Sequence, residues 1–316
     1  MSLSLLLKPR AWMALISALL LGGPLSIQGE TSGVTPNLTL FAPSNRVAWC
    51  IVPFDSRKRG PEERAAMLER LGFHQFAYDY RAEHIPTFDA EMDALARHKI
   101  KLLAWWFPTT LNDEARLILG VLKRHHLQTQ LWVMGGGEPT WNADEQKARV
   151  ESEAARIKPI AEAAGKQRCS VGLYNHGGWF GEPENQIAII QQLRAAGITN
   201  VGIVYNLHHG HQHLDRFPQL LQKVKPYLLA LNLNGMFKDG ETTGREIVPI
   251  GQGALDLELL RMIATSGWHG PIGILNHTGE DAEVRLKENV EGLDWLVKQL
   301  EGKPAGPKPK PLTWRN

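Results

Sequence analysis

The sequence predicts an α/β fold, a single (β/α)8 barrel of the TIM type, on three observations. From Arg46 onward, strand-like apolar runs alternate with amphipathic helix-like runs, and such alternation builds a parallel sheet. The alternation repeats eight times over about 255 residues, close to the ~250 typical of this barrel. Several strand-like runs stop in bursts of Asn, His and Gly, as barrel strands do where they deliver a site to the C-terminal face. A doubly wound open sheet is the alternative, but no G-x-G-x-x-G follows the first strand to favour it.

Residues 1–29 read as a secretory signal peptide. Lys8 and Arg10 precede a short apolar run, Ala11 to Leu21, which Gly22-Gly-Pro24 breaks. The run is shorter than the ~20 residues a membrane span needs, with an uncleaved anchor as the alternative. Either way the barrel, residues 45–301, is expected outside the cytoplasm, periplasmic or secreted. Its first strand, Arg46 to Phe54, is rich in β-branched and aromatic residues. Gly60-Pro61 opens a helix that Gly72 stops. Strand Gln75 to Tyr80, helix Asp89 to His98 and strand Ile100 to Phe107 follow. Asn112 caps a helix to His125. The fourth strand, Thr129 to Met134, ends in Gly135-Gly-Gly-Glu138, and the long helix after it, Ala143 to Ala164, is expected to break near Pro159. Then come strand Ser170 to Tyr174, helix Asn185 to Ala196, strand Asn200 to Tyr205, helix Leu214 to Val224 and strand Leu228 to Asn234. A polar excursion, Lys238 to Gln252, precedes helix Asp256 to Ser266, strand Pro271 to Leu275 and helix Glu283 to Leu300. Residues 302–316, with their Pro-Lys repeats, read as a disordered tail.

With 43% hydrophobic residues in 316, the chain can bury a large core. A net charge of +2, without a basic run interleaved with aromatics, argues against a nucleic-acid partner. Cys50 and Cys169 fall on the first and fifth strands, on opposite sides of the barrel. A disulfide needs Cα atoms within about 7 Å, so two free buried thiols are expected.

Successive strand residues face opposite ways. Applied to the last five strands, this parity puts Glu138, His176, Asn206, His208, Asn234 and His277 at one mouth of the barrel. Tyr174, Asn175 and Asn232 join them, and Trp106, Trp179 and Trp49 offer aromatic faces of the kind sugar rings stack on. Imidazole and carboxylate together suit a divalent transition metal such as Mn, Zn, Fe or Ni. His176, His209 and His277 are the expected ligands, with Glu138 and His208 as the proton-transferring pair. Without a metal, a His still serves as a base near neutrality. Plainer readings exist for each residue: a hydrogen-bonded structural His, an Asn satisfying loop backbone, a Glu capping the next helix. His211 and His213 read as parts of a solvated loop. Parity turns Asp79 away from the axis, which leaves Glu138 with Asp79 or Asp55 a poor carboxylate pair for hydrolysis.

Tyr174-Asn-His176, Asn206-Leu-His-His209, Gly251-Gln-Gly-Ala-Leu-Asp256 and Gly267-Trp-His-Gly-Pro271 resemble segments of the xylose isomerase-like TIM-barrel superfamily, the sugar isomerases and epimerases. The resemblance spans roughly Arg46 to Leu300. It implies a divalent metal held by acids and a His, and proton transfer beside a sugar carbonyl by two glutamates. Matched position by position, the fifth-strand Glu is Tyr174, the sixth-strand Asp is Asn206, and the seventh-strand His falls near Asn232. The eighth-strand Glu falls on Leu275 or Asn276. His176 and His209 are the matches that survive, so the two-glutamate mechanism does not carry over.

Two function classes follow. One is an exported sugar isomerase- or epimerase-like enzyme that moves a proton beside the carbonyl of a sugar or keto-sugar derivative, with or without His-bound metal. The other is a carbohydrate-binding barrel that has lost the acids. Either takes a small carbohydrate as partner and needs no membrane span once the signal peptide is cleaved. Asn276-His-Thr278 matches the glycosylation pattern, but a glycan there would block the mouth.

Overall fold

The computed structural model describes residues 35–313, so the expected signal peptide lies outside the described residues. Eight parallel strands close into a barrel in chain order. They are β1 (Arg46–Trp49), β2 (Gln75–Tyr78), β3 (Lys101–Phe107), β4 (Gln130–Val133), β5 (Ser170–Tyr174), β6 (Val201–Asn206), β7 (Leu228–Leu233) and β8 (Ile272–Leu275). β1 closes on β8 in parallel register from Arg46 against Ile272 to Trp49 against Leu275. Strands enclosed by helices outside and by one another inside carry no polar face, which is why they read as apolar runs.

The helices are α1 (Pro61–Arg70), α2 (Phe88–Arg97), α3 (Asp113–Arg124), α4 (Ala143–Gly165), α5 (Gly178–Gly181), α6 (Pro183–Ala195), α7 (Phe217–Val224), α8 (Gly240–Thr243), α9 (Asp256–Thr265) and α10 (Ala282–Leu300). Eight of them are the expected crossovers; α5 and α8 are single turns within loops. Asn112 caps α3 as expected, its Oδ1 accepting the Ala115 N–H at 2.9 Å. α4 runs through Pro159 without the expected break.

The core has two shells. The larger lies between the strands and the helices. The smaller fills the barrel, with Val47, Trp49, Ala77, Trp132, Tyr174, Val204, Ala230 and Leu275 facing the axis. The inward parity expected of β4 to β8 is therefore present. β3 carries one extra residue against β2: Phe76 pairs with Leu102 and Ala77 with Ala104. β1 is shorter than expected because Cys50 sits in the left-handed region at φ 58 and turns the chain out of the strand.

Two sequence motifs are structural. Asp256 Oδ1 accepts the Met236 N–H at 2.7 Å, and its Oδ2 accepts those of Gly251 and Gly253 at 2.7 and 3.0 Å. The Gly-x-Gly-x-x-Asp segment thus ties the loop after β7 to the start of α9. The tail expected to be disordered lies along α10: Glu288 accepts the Leu312 N–H at 2.5 Å and Arg285 donates to Thr313 Oγ1 at 3.1 Å. Both cysteines are buried and unbridged.

Candidate functional site

A cleft at the C-terminal ends of the strands encloses about 340 Å³, open solvent at its mouth included. Its floor is aromatic. Trp49, Trp106 and Tyr174 lie with ring centroids 5.0–5.9 Å apart. One wall is imidazole: His176 follows β5, His209 follows β6 and His277 follows β8. His176 and His209 have centroids 4.4 Å apart, and His208 bridges from His209 at 4.2 Å to His277 at 5.7 Å. The loops after β1 and β2 add Cys50, Phe54, Asp79 and Arg81, and the Phe54 ring meets that of His277 with centroids 4.0 Å apart. The Arg81 guanidinium lies 5.5 Å from the Phe54 ring centre and donates to the carbonyls of Asp79 and Tyr80 at 3.0 and 2.8 Å.

Local folding fixes the imidazole wall. Asn206 Oδ1 accepts the His208 N–H at 3.2 Å and so starts the 3-10 turns of Leu207–Arg216. Gly210 passes so close to Tyr205 that a Cβ there would lie 2.5 Å from the phenol oxygen. The Tyr205 hydroxyl pairs with His213 Nδ1 at 2.9 Å, and His213 Nε2 faces Glu182 at 3.2 Å.

His208 and His209 are neutral at pH 7. Burial, then the neighbouring His277, pushes His208 down to about 4, and burial, then His208, pushes His209 down to about 2. Burial lowers His277 as well, and Arg81 adds to it. Such imidazoles are weak bases suited to holding hydroxyls rather than abstracting protons from carbon. Tyr174 is held protonated by burial. Its oxygen accepts from Trp49 Nε1 at 3.1 Å and from Asn206 Nδ2 at 2.5 Å. Asp79 differs from all of these: burial raises its carboxyl to about 7, against the pull of Arg81 and of the Val52 N–H.

Several expected site residues hold other positions. Asn175 is consumed as a β5–β6 clamp, donating to Asn206 O at 3.1 Å and accepting its N–H at 2.7 Å. Asn234 binds the Gly235 and Glu246 carbonyls at 2.9 and 3.0 Å. Trp179 is buried on α5, donates to Gln146 at 2.6 Å and is not on the cleft wall. Glu138 is exposed beyond β4, since the chain leaves strand geometry after Val133 and Gly137 takes φ 106. His211 and His213 are buried rather than solvated; His211 lies between the Phe237 and Glu246 carbonyls at 3.3 and 3.1 Å. Asn232 faces the axis. It lies close to the Tyr174 phenol outside hydrogen-bond geometry, and neither of its amide atoms has a partner. Asn276, the candidate glycan acceptor, is fully buried.

Asp79 corrects the strand reading. Phe76 and Tyr78 pack into the outer shell and Ala77 faces the axis, so Asp79 follows inward onto the cleft wall. Cys50, Phe54 and Arg81 were missed too, since they lie beyond the strand ends where parity no longer applies.

Among the described residues, no three His, Cys, Asp or Glu side chains converge in an arrangement that could hold a metal ion. His176 and His209 stand together, but His277 joins them only through His208, and no carboxylate completes the set. The donors present do not fit the expected three-histidine metal site, and no step below passes through one.

The family model for the xylose isomerase-like TIM barrel matches residues 79–299. The chain belongs to that family. No curated protein matches it by sequence. Among solved structures it is similar to the 3-keto-D-glucoside 4-epimerase YcjR of E. coli, at 13% identity and TM-score 0.58, over 80% of this chain and 98% of that one. It is similar to the probable 3-DHS dehydratase AsbF of petrobactin synthesis from Bacillus anthracis, at 13% identity and TM-score 0.61, over 79% and 98%. It is also similar to the IOLI protein with a bound zinc atom, at 14% identity and TM-score 0.61, over 81% and 97%. Likeness at these identities carries the fold alone. As a member of the xylose isomerase-like family, the chain keeps the cleft where barrel sites lie, with Tyr174, Asn206, Asn232 and Leu275 at the ends of β5 to β8.

Proposed function

We propose that this chain is a sugar-modifying enzyme that moves a proton beside the carbonyl of a keto-sugar, giving isomerisation, epimerisation or elimination. One observation carries the reading: the cleft is lined by the imidazoles of His176, His209 and His277, with His209 held neutral by burial, together with Trp49 and Trp106. Uncharged hydrogen-bonding groups beside aromatic planes complement a polyhydroxylated ring, whose edges are polar and whose faces are apolar. The Asn232 amide, fully buried, lies behind this lining beside the Tyr174 phenol. Membership of a family with a sugar epimerase among its structural neighbours supports the same class.

Solvent hydrogen exchange tests this. The full chain, incubated in D2O with a methyl 3-keto-glucopyranoside, is expected to place deuterium on a carbon next to the carbonyl, read by NMR. Calorimetric binding of the sugar without exchange favours the second reading, a carbohydrate-binding barrel. That reading draws on Tyr174, Asn206, Asn232 and Leu275, none of them acidic, at the ends of β5 to β8. We infer export as well, from Lys8, Arg10 and the apolar run after them. N-terminal sequencing of the protein recovered from cell fractions checks that inference.

A further inference from the structure

With the expected acids replaced and burial lowering the basicity of His208, His209 and His277, the loop after β2 brings a carboxyl to the cleft. Asp79 is 2% exposed, stands on the cleft wall, and has one carboxyl oxygen, Oδ2, without a hydrogen-bond partner. Its other oxygen accepts the Val52 N–H at 3.2 Å, which fixes the carboxyl to the β1 loop. A buried carboxyl atom without an N–H or O–H partner costs stability and calls for a compensating role, catalysis among them, and the Cys50 thiol is its close neighbour. A second observation lies beside it. Cys50, a residue with a Cβ, is held at φ 58 against that carboxyl, and strained backbone of this kind concentrates at functional sites.

We propose that Asp79 is the catalytic acid–base of this cleft, which it lines together with His176, His209 and His277. The inference rests on the proton-transfer reading above. The Asp79 carboxylate takes the proton from the carbon beside the carbonyl. The C–H electron pair forms the C=C bond of an enolate, and the carbonyl π pair moves to oxygen, where imidazole hydrogen bonds stabilise it. The neutral carboxyl then returns the proton: to the former carbonyl carbon for isomerisation, as the neighbouring hydroxyl's proton passes to the enolate oxygen and its carbon becomes the new carbonyl, or to a departing β-hydroxyl, which leaves as water as the carbonyl re-forms, for elimination. Atoms and electrons balance without an oxidant or reductant.

The groups around Asp79 set its proton affinity: Arg81 two residues on, Arg64 from α1, the Cys50 thiol after β1 and the Tyr78 phenol, with His277 in the same cleft lining. Burial outweighs the two arginines and holds the carboxyl near 7, where both of its forms are populated at neutral pH.

Asp79→Asn keeps the acceptor for Val52 and removes the proton carrier. The probe is again the methyl 3-keto-glucopyranoside in D2O. Exchange is expected to fall at least about a hundred-fold, with calorimetric affinity within about threefold of wild type. Exchange in Asp79→Asn within about threefold of wild type overturns the assignment and leaves the sugar-enzyme reading standing. Wild type that binds the sugar without exchanging it overturns both. Carbon NMR of wild type labelled at the aspartate carboxyl gives a readout independent of turnover. A resonance that titrates near neutrality and is missing from Asp79→Asn supports the assignment, whereas a carboxyl already ionised at pH 5 overturns it.

Discussion

A single buried carboxyl makes the fold sensitive to pH in a predictable direction. Asp79 moves from about 3.8 in the unfolded chain to about 7 in the barrel, with burial as the cause. Between those values the folded state binds more protons, so stability falls as pH rises from about 4 to about 7 and levels off above. Three units correspond to roughly 4 kcal/mol as a ceiling. Histidines with lowered values act oppositely, and Asp256, also raised to about 7 by burial, acts in the same direction. The pH profile of wild type alone therefore mixes them. Subtracting Asp79→Asn isolates the one carboxyl. The variant's melting temperature relative to wild type is expected to climb between pH 4 and 7 and to stay constant above. A difference that is flat with pH would mean that Asp79 is already ionised throughout that range. This dependence was not legible in the sequence. Phe76, Ala77 and Tyr78 are all buried, so β2 offers no polar–apolar alternation from which to read the direction of Asp79.

The segment after β6 shows what pattern does and does not reveal about an element. Strand parity on β4 to β8 is legible because Gly, Asn and His interrupt the apolar runs on one face only, and Trp132, Tyr174, Val204 and Ala230 do face the axis. His211 and His213 read as parts of a solvated loop because their run is polar, yet both are buried in a 3-10 segment. Their polarity is satisfied internally, by Tyr205, Glu182 and the carbonyls of Phe237 and Glu246. Composition reports how polar a segment is, not whether its partners are solvent or other residues of the chain. Gly210→Ala tests how tightly this segment holds the imidazole wall. The added Cβ would lie 2.5 Å from the Tyr205 oxygen, so phenol or segment must move. Overpacking of this size costs ~1–3 kcal/mol. The larger effect is expected on the site: a displaced His209 should weaken sugar binding about tenfold by calorimetry. Unchanged affinity in a folded Gly210→Ala would show that the wall is positioned elsewhere.

Across the whole molecule, closure of eight strands is what permits a polar floor inside an apolar barrel. Every strand is paired on both sides, so the inner shell can hold a costly side chain without loss of architecture. Asn232 is that side chain. It is fully buried, and Gly273 on β8 gives it room, since a Cβ there would lie 1.9 Å from its amide oxygen. With neither amide atom partnered, it costs on the order of 1–3 kcal/mol, a cost that a sugar hydroxyl seated in the cleft would remove. Replacement by an apolar group of similar shape should therefore separate stability from function. Asn232→Leu is expected to raise the melting temperature of the sugar-free protein by a few degrees and to abolish the further rise on adding the keto-glucoside. The paired shifts are read in one thermal-melt experiment. A variant less stable than wild type, with its sugar-induced rise intact, would make Asn232 a structural residue satisfied within the barrel. Asn232 would then have no part in recognition, and binding would rest on the aromatic floor and the imidazoles alone.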